Sequence, residues 1–206
     1  KDKRFSYIKQ KENFKGIFGA MNQGLEKVDF KSWLLFWGSD DWVITKNTFE
    51  KLNYQINKYS HLELDLMICK GKYYNLDDSF NKNTFFRNFK KTKFIGKEEY
   101  MRNLFFGLTP PHQTTLINPH ILNKYRYDEN YEIAGDLKFF CSLCFEKKLS
   151  IVLLDLYIVA ISVGGISSRN HKKRFKEVLK SYYSIFSKLF FIPFLFRYFW
   201  KILLFK

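Results

Sequence analysis

Five large apolar residues, Trp33-Leu34-Leu35-Phe36-Trp37, run directly into the polar stretch Gly38-Ser39-Asp40-Asp41. An apolar run that stops at turn-forming residues is typical of a buried strand ending in a loop, so we predict a central strand over residues 32–37. Ligands of α/β sheets bind outside the carboxyl ends of the strands. Two adjacent carboxylates at such a point indicate a cation site, because Mg²⁺ uses one or two carboxylates together with phosphate and water oxygens. A polar turn that caps the next helix is the simpler interpretation of the same residues.

The composition is strongly basic and aromatic. The formal net charge is +15, and aromatic residues make up 20% of the chain. This aromatic content excludes a disordered chain, and the charge indicates an anionic partner such as a nucleotide-sugar, an anionic lipid or a nucleic acid. Cys141 and Cys144 form a C-x-x-C, but it lies in an apolar helical stretch without a second Cys or His pair nearby. We therefore expect buried free thiols in a reducing, cytoplasmic compartment.

The order of the patterns predicts an α/β layered domain. Helices are expected over residues 16–28, 45–56 and 134–147, with a short helix capped by Asn118 and Pro119. Residues 64–69 and 73–76 read as a hairpin around Lys70-Gly71-Lys72, and residues 151–163 as one or two further strands. Residues 77–107 show no clear period and are expected to be irregular.

The C-terminal part differs from the rest. Residues 171–206 carry nine basic residues and one acid, Glu177, a net charge of +8, and residues 182–206 include eleven aromatics. The pattern predicts one helix over residues 171–192, broken by Pro193. The longest uncharged run, residues 189–196, is eight residues, whereas a spanning helix needs about 20. We expect a domain over residues 1–170 and an amphipathic helical tail over 171–206 that lies on an anionic membrane surface, with a tail packed on the domain as the alternative.

Four blocks occur in an order that resembles the family 2 glycosyltransferases of bacterial polysaccharide synthesis. They are Gly-Ile-Phe-Gly-Ala-Met-Asn-Gln-Gly at 16–24, residues 33–41, Pro-His-Gln-Thr-Thr at 111–115 and Tyr-Glu-Ile-Ala-Gly-Asp-Leu-Lys-Phe-Phe at 131–140. The resemblance implies a GT-A-type (nucleotide-diphospho-sugar transferase) fold. Gly38 stands at the first position of the Asp-x-Asp-like pattern, a variation that also occurs in the family.

The resemblance also implies roles for individual residues. Asp136 is expected as the catalytic base, and Asp40 and Asp41 as ligands of Mg²⁺ or Mn²⁺. Donor or acceptor contacts are expected from Asn22, Ser39, His112 and Gln113, and a flexible lid from residues 167–169. Taken without the resemblance, Asp136 is a helix N-terminal residue that complements the dipole, and His112 is a structural hydrogen-bonding residue.

The implied activity is inverting transfer of a hexosyl or N-acetylhexosaminyl group from a nucleotide-sugar to a lipid-linked or glycan acceptor in surface polysaccharide synthesis. Such an enzyme is expected in the cytoplasm, peripheral on the inner face of the cell membrane, with no nucleic acid as partner. Two departures qualify this expectation. We expect the family's first strand-helix-strand unit to be missing, and Phe14 and Gly19 stand where the family usually carries Asp. A truncated, inactive remnant and a basic nucleic-acid-binding protein therefore stay open as alternatives.

Overall fold

The computed structural model describes residues 5–29, 31–86, 89–164 and 170–204, with backbone alone for residues 201, 203 and 204. The helices are α1 (Gly16–Leu25), α2 (Thr48–Lys58), α3 (Lys97–Phe105), α4 (Pro119–Lys124), α5 (Gly135–Ser142), α6 (His171–Phe186) and α7 (Phe191–Leu204). The strands are β1 (Trp42–Val43), β2 (Leu66–Tyr74), β3 (Phe80–Asn83), β4 (Lys93–Gly96), β5 (Thr115–Ile117) and β6 (Ser150–Ser162).

The sheet is built around one parallel pair, β2 and β6. The outer edge of β2 pairs first with β5 and, further along the strand, with β3. The outer edge of β6 pairs first with β4 and, further along the strand, with β1. All four of these pairs are antiparallel. Side chains of β2 alternate between two apolar clusters: Leu66 and Ile68 enter one, Met67 and Cys69 the other. The sheet is therefore covered on both faces, and the predicted mixed α/β class is confirmed.

The apolar run at residues 32–37 is not the central strand, and that prediction is wrong. Leu34 makes a single bridge to Ile117, with N–H···O distances of 3.0 and 2.8 Å in the two directions. The run lies along the outer edge of β5, which is too short to extend the ladder, and its side chains are only half-buried. The centre of the sheet is formed by β2 and β6. The prediction failed because the apolar content of a segment indicates burial but does not identify the strand with which it pairs.

The predicted hairpin over residues 64–76 is also wrong, since these residues form the continuous strand β2. Gly71 is needed because Thr114 and the neighbouring strand β6 approach the backbone of β2 closely at this position, and not because the chain turns there. A Cβ at this position would lie 2.8 Å from Thr114 Cγ2 and 3.0 Å from the carbonyl oxygen of Val159. The β2–β6 register shifts beside it, as is common where a glycine sits within a strand.

Residues 77–107 are more regular than expected. They contain β3, β4 and α3, of which the two strands are short and mostly exposed. Exposed edge strands rich in Asn and Lys carry little alternation of apolar and polar residues, so their pattern gave no strand signal.

Several local predictions are confirmed. Asn118 caps α4 by accepting from the backbone N–H of His120, and Pro119 occupies the first turn. The strand predicted at residues 151–163 is β6. The described cysteines Cys69, Cys141 and Cys144 are buried free thiols, and burial raises the pKa of Cys69 and Cys144 to about 12.

The tail folds back onto the domain. Val178 and Tyr182 of α6 and Phe194 of α7 are buried with Leu137 and Cys141 of α5. The helix break falls at residues 187–189, where Ser187 has a φ of 46°, and not at Pro193. Pro193 is instead in the first turn of α7, where an N–H has no intrahelical partner to lose. Within the described part of the chain, no helix has the length and apolarity needed to cross a bilayer.

Candidate functional site

The apolar run at residues 33–37 carries the acidic loop to the His-Gln turn. The Phe36 ring stacks on His112, with centroids 5.6 Å apart. The indole N–H of Trp37 donates to the carbonyl oxygen of Gln113 at 2.9 Å. Together with the Leu34–Ile117 bridge, these contacts hold the run against β5 and the turn before it. The loop at residues 38–41 must therefore begin beside His112 and Gln113.

The loop itself is closed by its own hydrogen bonds. The N–H of Gly38 donates to Asp41 Oδ2 at 2.7 Å, and the N–H of Asp41 donates to the Gly38 oxygen at 3.2 Å. A Cβ on Gly38 would lie 2.7 Å from Asp40 Oδ1 and 3.3 Å from Asp41 Oδ2. The two carboxylates thus converge on the bare side of Gly38, and a larger residue at the first position would displace them. Ser39, between Gly38 and Asp40 in the chain, is exposed.

The electrostatics of the loop favour a cation. Burial raises the pKa of Asp41, and the negative charge of Asp40 raises it further, against the hydrogen bond from Gly38. Across the ranges that the structure describes, no cluster of three or more His, Cys, Asp or Glu could hold a metal. Two convergent carboxylates fit Mg²⁺ or Mn²⁺ only when substrate and water oxygens complete the coordination.

Asp136 lies in the first turn of α5 and is half-buried. Its Oδ1 accepts from the N–H of Leu137 at 2.7 Å. This is the dipole-complementing arrangement expected for a helix N-terminal Asp. The charge of Asp136 also raises the pKa values of Tyr127 and Arg197.

The acidic loop and α5 approach each other at His112. The His112 ring stacks on Phe36, which leads into the loop, and lies 6.2 Å from the ring of Phe140 on α5. Tyr73, near the end of β2, lies in the field of both groups: burial raises the pKa of its phenol, and the charges of Asp136 and Asp41 raise it further, while Arg197 lowers it.

His112 is buried and faces the interior. Its Nε2 lies 2.7 Å from the Tyr127 hydroxyl. Burial lowers the pKa of His112, although the charge of Asp136 opposes this effect. The imidazole is therefore neutral at pH 7, and its hydrogen bond holds it to the loop that carries Tyr127. Gln113 is half-buried beside it, with its backbone oxygen held by Trp37.

Asn22 is fully engaged within the protein. Its amide nitrogen donates to the Tyr127 oxygen and to Glu129 Oε1, both at 2.9 Å, and its amide oxygen accepts from the Tyr127 N–H at 3.0 Å. A direct contact with donor or acceptor would break these bonds. The geometry favours a role in positioning the loop that holds Tyr127.

The same loop explains one departure from the family pattern. A Cβ on Gly19 would lie 2.6 Å from the backbone carbon of Phe14 and 3.0 Å from Glu129 Oε2. Glu129 also accepts from the backbone N–H of Lys15 at the start of α1. The space that an Asp at position 19 would need is therefore occupied by backbone and by another carboxylate.

Sequence reasoning missed Tyr73, Tyr127 and Arg197. Arg197, on α7, donates to Thr109 Oγ1 at 2.6 Å. Burial opposes its charge, but Tyr182 and Asp136 favour it, and the net effect raises its pKa. A single arginine within an aromatic helix is a sequence signal that its side chain points toward the protein interior. The sequence around Tyr73 and Tyr127 carries no comparable signal. The lid predicted at residues 167–169 lies outside the described residues.

Comparison with known proteins gives one family match. The model of glycosyl transferase family 2 matches residues 1–143, which include every predicted site residue in the acidic loop, the His-Gln turn and α5. No curated protein matches the chain. The mixed α/β sheet with helices on both faces is consistent with a GT-A-like domain. Because the match covers well over half of the sequence, this chain belongs to glycosyl transferase family 2.

Proposed function

We propose that this protein transfers a hexosyl or N-acetylhexosaminyl group, with inversion, from a nucleotide-sugar to a lipid-linked or glycan acceptor. Family membership supports glycosyl transfer in general. The observation that carries the finer proposal is the packing at His112: its ring stacks on Phe36, which leads into the acidic loop, and lies 6.2 Å from the ring of Phe140 on α5, the helix that carries Asp136. A donor-side carboxylate and an acceptor-side carboxylate within one region are what a single displacement needs.

On the donor side, Asp40 and Asp41 would hold Mg²⁺ or Mn²⁺ together with the diphosphate. The bound cation would supply Lewis-acid stabilisation of the leaving diphosphate. Convergence of the two carboxylates on Gly38 supports this role, because a cation between them relieves their repulsion. Ser39, exposed in the same loop, and Gln113, in the adjoining turn, are the proposed contacts to the donor.

On the acceptor side, Asp136 is the proposed base. The acceptor hydroxyl passes its proton to the carboxylate, its oxygen bonds to the anomeric carbon, and the bond to the diphosphate breaks with the electron pair leaving on the diphosphate. Attack opposite the leaving group inverts the anomeric centre. Neutral His112 and the Asn22-held loop fix the position of Tyr127, a phenol whose pKa is raised by burial and by the charge of Asp136.

The proposed setting is surface polysaccharide synthesis at the inner face of the cell membrane. A lipid-linked acceptor is a bilayer component, and the basic tail suits an anionic leaflet. The net charge of +15 also suits a doubly charged diphosphate donor.

The test separates binding from chemistry. Affinity for uridine and guanosine diphosphates with Mn²⁺ is measured by calorimetry, and transfer is measured with a panel of nucleotide-sugars and a mixed lipid-linked oligosaccharide pool. Asp41→Asn should weaken Mn²⁺-dependent diphosphate binding. Asp136→Asn should leave that binding intact and lower the transfer rate about 10²–10⁴-fold.

Glu63→Gln is the matched control, because this carboxylate is exposed before the start of β2, at the opposite end of the strand from Tyr73. It should change neither quantity. Equal loss of diphosphate binding in Asp136→Asn and Asp41→Asn would contradict the division of roles.

A further inference from the structure

Helix α7 has an apolar face that is exposed within the part of the chain that the structure describes. Phe191, Leu195, Phe199 and Ile202 are 48%, 61%, 51% and 64% exposed. Their spacing of four, four and three residues puts them on one side of the helix. Pro193 and Phe194, which lie off this stripe, are buried against the domain. The helix is thus packed on one side and exposes an apolar stripe on another.

The uncovered face is part of a larger apolar surface. Leu189 and Tyr183, just before α7, are more than half exposed. Phe85 and Phe106 are also exposed, and they contact Trp200 and Phe196 of α7 with ring centroids 6.0 and 5.2 Å apart. A contiguous apolar surface of this kind marks an interaction site.

Among residues 171–206 the exposed charges are of one sign. Glu177, the one acid in residues 171–206, is turned inward, where its carboxylate accepts from the backbone N–H groups of Glu132, Ile133 and Ala134. Lys172, Lys176 and Lys188 are exposed. The tail therefore presents cations and apolar side chains outward, with its carboxylate withdrawn.

We propose that α7 lies in the interface of an anionic phospholipid membrane, with Phe191, Leu195, Phe199 and Ile202 in the acyl boundary and the lysines of α6 and the α6–α7 turn at the headgroups. The inference rests on the membrane location in the proposed function, and not on the transfer chemistry. A second copy of the chain would bring two +8 tails together, and a nucleic acid would leave the aliphatic Leu195 and Ile202 uncovered. An anionic bilayer interface satisfies both the charge and the apolar face.

The inward side of α7 ties the docked helix to the site. A Cβ on Gly107, which has a φ of 72°, would lie 2.3 Å from the backbone nitrogen of Arg197. The indole of Trp200 donates to the Phe106 oxygen at 2.9 Å, and Arg197 donates to Thr109. These contacts hold the loop that leads into the His112 turn. A membrane-bound α7 thus places the acceptor side of the site close to the bilayer surface.

The experiment is co-sedimentation of the full chain with vesicles of phosphatidylcholine containing 30% phosphatidylglycerol, at low salt. The double variant Leu195→Glu/Phe199→Glu should bind roughly 100-fold more weakly or worse, because it removes two large apolar side chains from the interface and adds two negative charges. Lys172→Glu/Lys176→Glu should also weaken binding, and raised salt should weaken the wild type. Leu76→Glu is the matched control, since Leu76 is 84% exposed at the β2–β3 turn, and it should bind like the wild type.

Circular dichroism and the thermal midpoint report the fold of each variant, and Leu195→Ser/Phe199→Ser replaces the glutamate pair if that pair unfolds. Equal vesicle binding by the wild type and the folded Leu195/Phe199 double variants overturns the proposal. The proposal is also overturned if the wild type does not bind the vesicles but self-associates, or binds oligonucleotides, through the same face. Transfer activity is not used, so an inactive chain that binds vesicles refutes the proposed function and leaves this inference standing.

Discussion

Glu177 is one of the contacts that join the tail to the candidate site, and replacing it tests how strongly the two are coupled. The side chain is 8% exposed. Its two oxygens accept from Glu132 and Ile133 at 3.0 Å and from Ala134 at 2.8 Å. These N–H groups immediately precede α5, which carries Asp136. Glu177→Ala leaves all three without their acceptor.

The magnitude follows from those three bonds. Hydrogen bonds to a charged group contribute about 1.5–3 kcal/mol each, and water can replace part of the loss where it reaches the backbone. The N–H of Ala134 is buried, and those of Glu132 and Ile133 are partly buried. We therefore expect Glu177→Ala to lower the free energy of unfolding by about 3–5 kcal/mol. Glu177→Gln keeps the shape and part of the acceptor capacity, and should cost about 1–3 kcal/mol.

The assay is urea denaturation of the full chain at constant pH. Glu63→Ala, a carboxylate exposed before β2, is the control and should change stability by less than about 0.5 kcal/mol. A loss below about 1 kcal/mol for Glu177→Ala would refute the reasoning, because it would mean that the three N–H groups find other partners at little cost.

Three further predictions concern the site. Burial lowers the pKa of His112 from 6.5, so the unfolded chain binds more protons on acidification; the thermal midpoint should fall as the pH drops below about 6.5, and His112→Asn should flatten that fall. Arg197→Met removes a charge beside Asp136 and should slow transfer about tenfold or more, with Arg197→Lys in between at matched stability; equal rates for the two variants would contradict an electrostatic role. Gly19→Asp should destabilise the chain by about 2–4 kcal/mol in urea titrations, because its side chain meets the Phe14 backbone and the Glu129 carboxylate; an unchanged midpoint would show that the loop yields freely.

Local chemistry was readable from the sequence by itself. The Asn118-Pro119 start of α4, the apolar strand β6 and the burial of the C-x-x-C thiols depend on residues close in the chain, and the structure confirms them. The ordered blocks also identified the family before any geometry was known. Such features depend on caps, propensities and short spacings, which a linear reading contains.

Pairing between distant segments was decided by the tertiary structure alone. The sequence predicts residues 32–37 at the centre of the sheet, but they lie at the edge of β5. Gly71 is predicted in a hairpin turn, but it lies within the continuous strand β2. The packing of His112 between Phe36 and Phe140 of α5, and the bond from Arg197 to Thr109, join positions far apart in sequence. Hydrophobic pattern reports that a segment is buried, whereas its partner is selected by steric fit and hydrogen-bond register between segments. Those quantities exist only once the chain has folded.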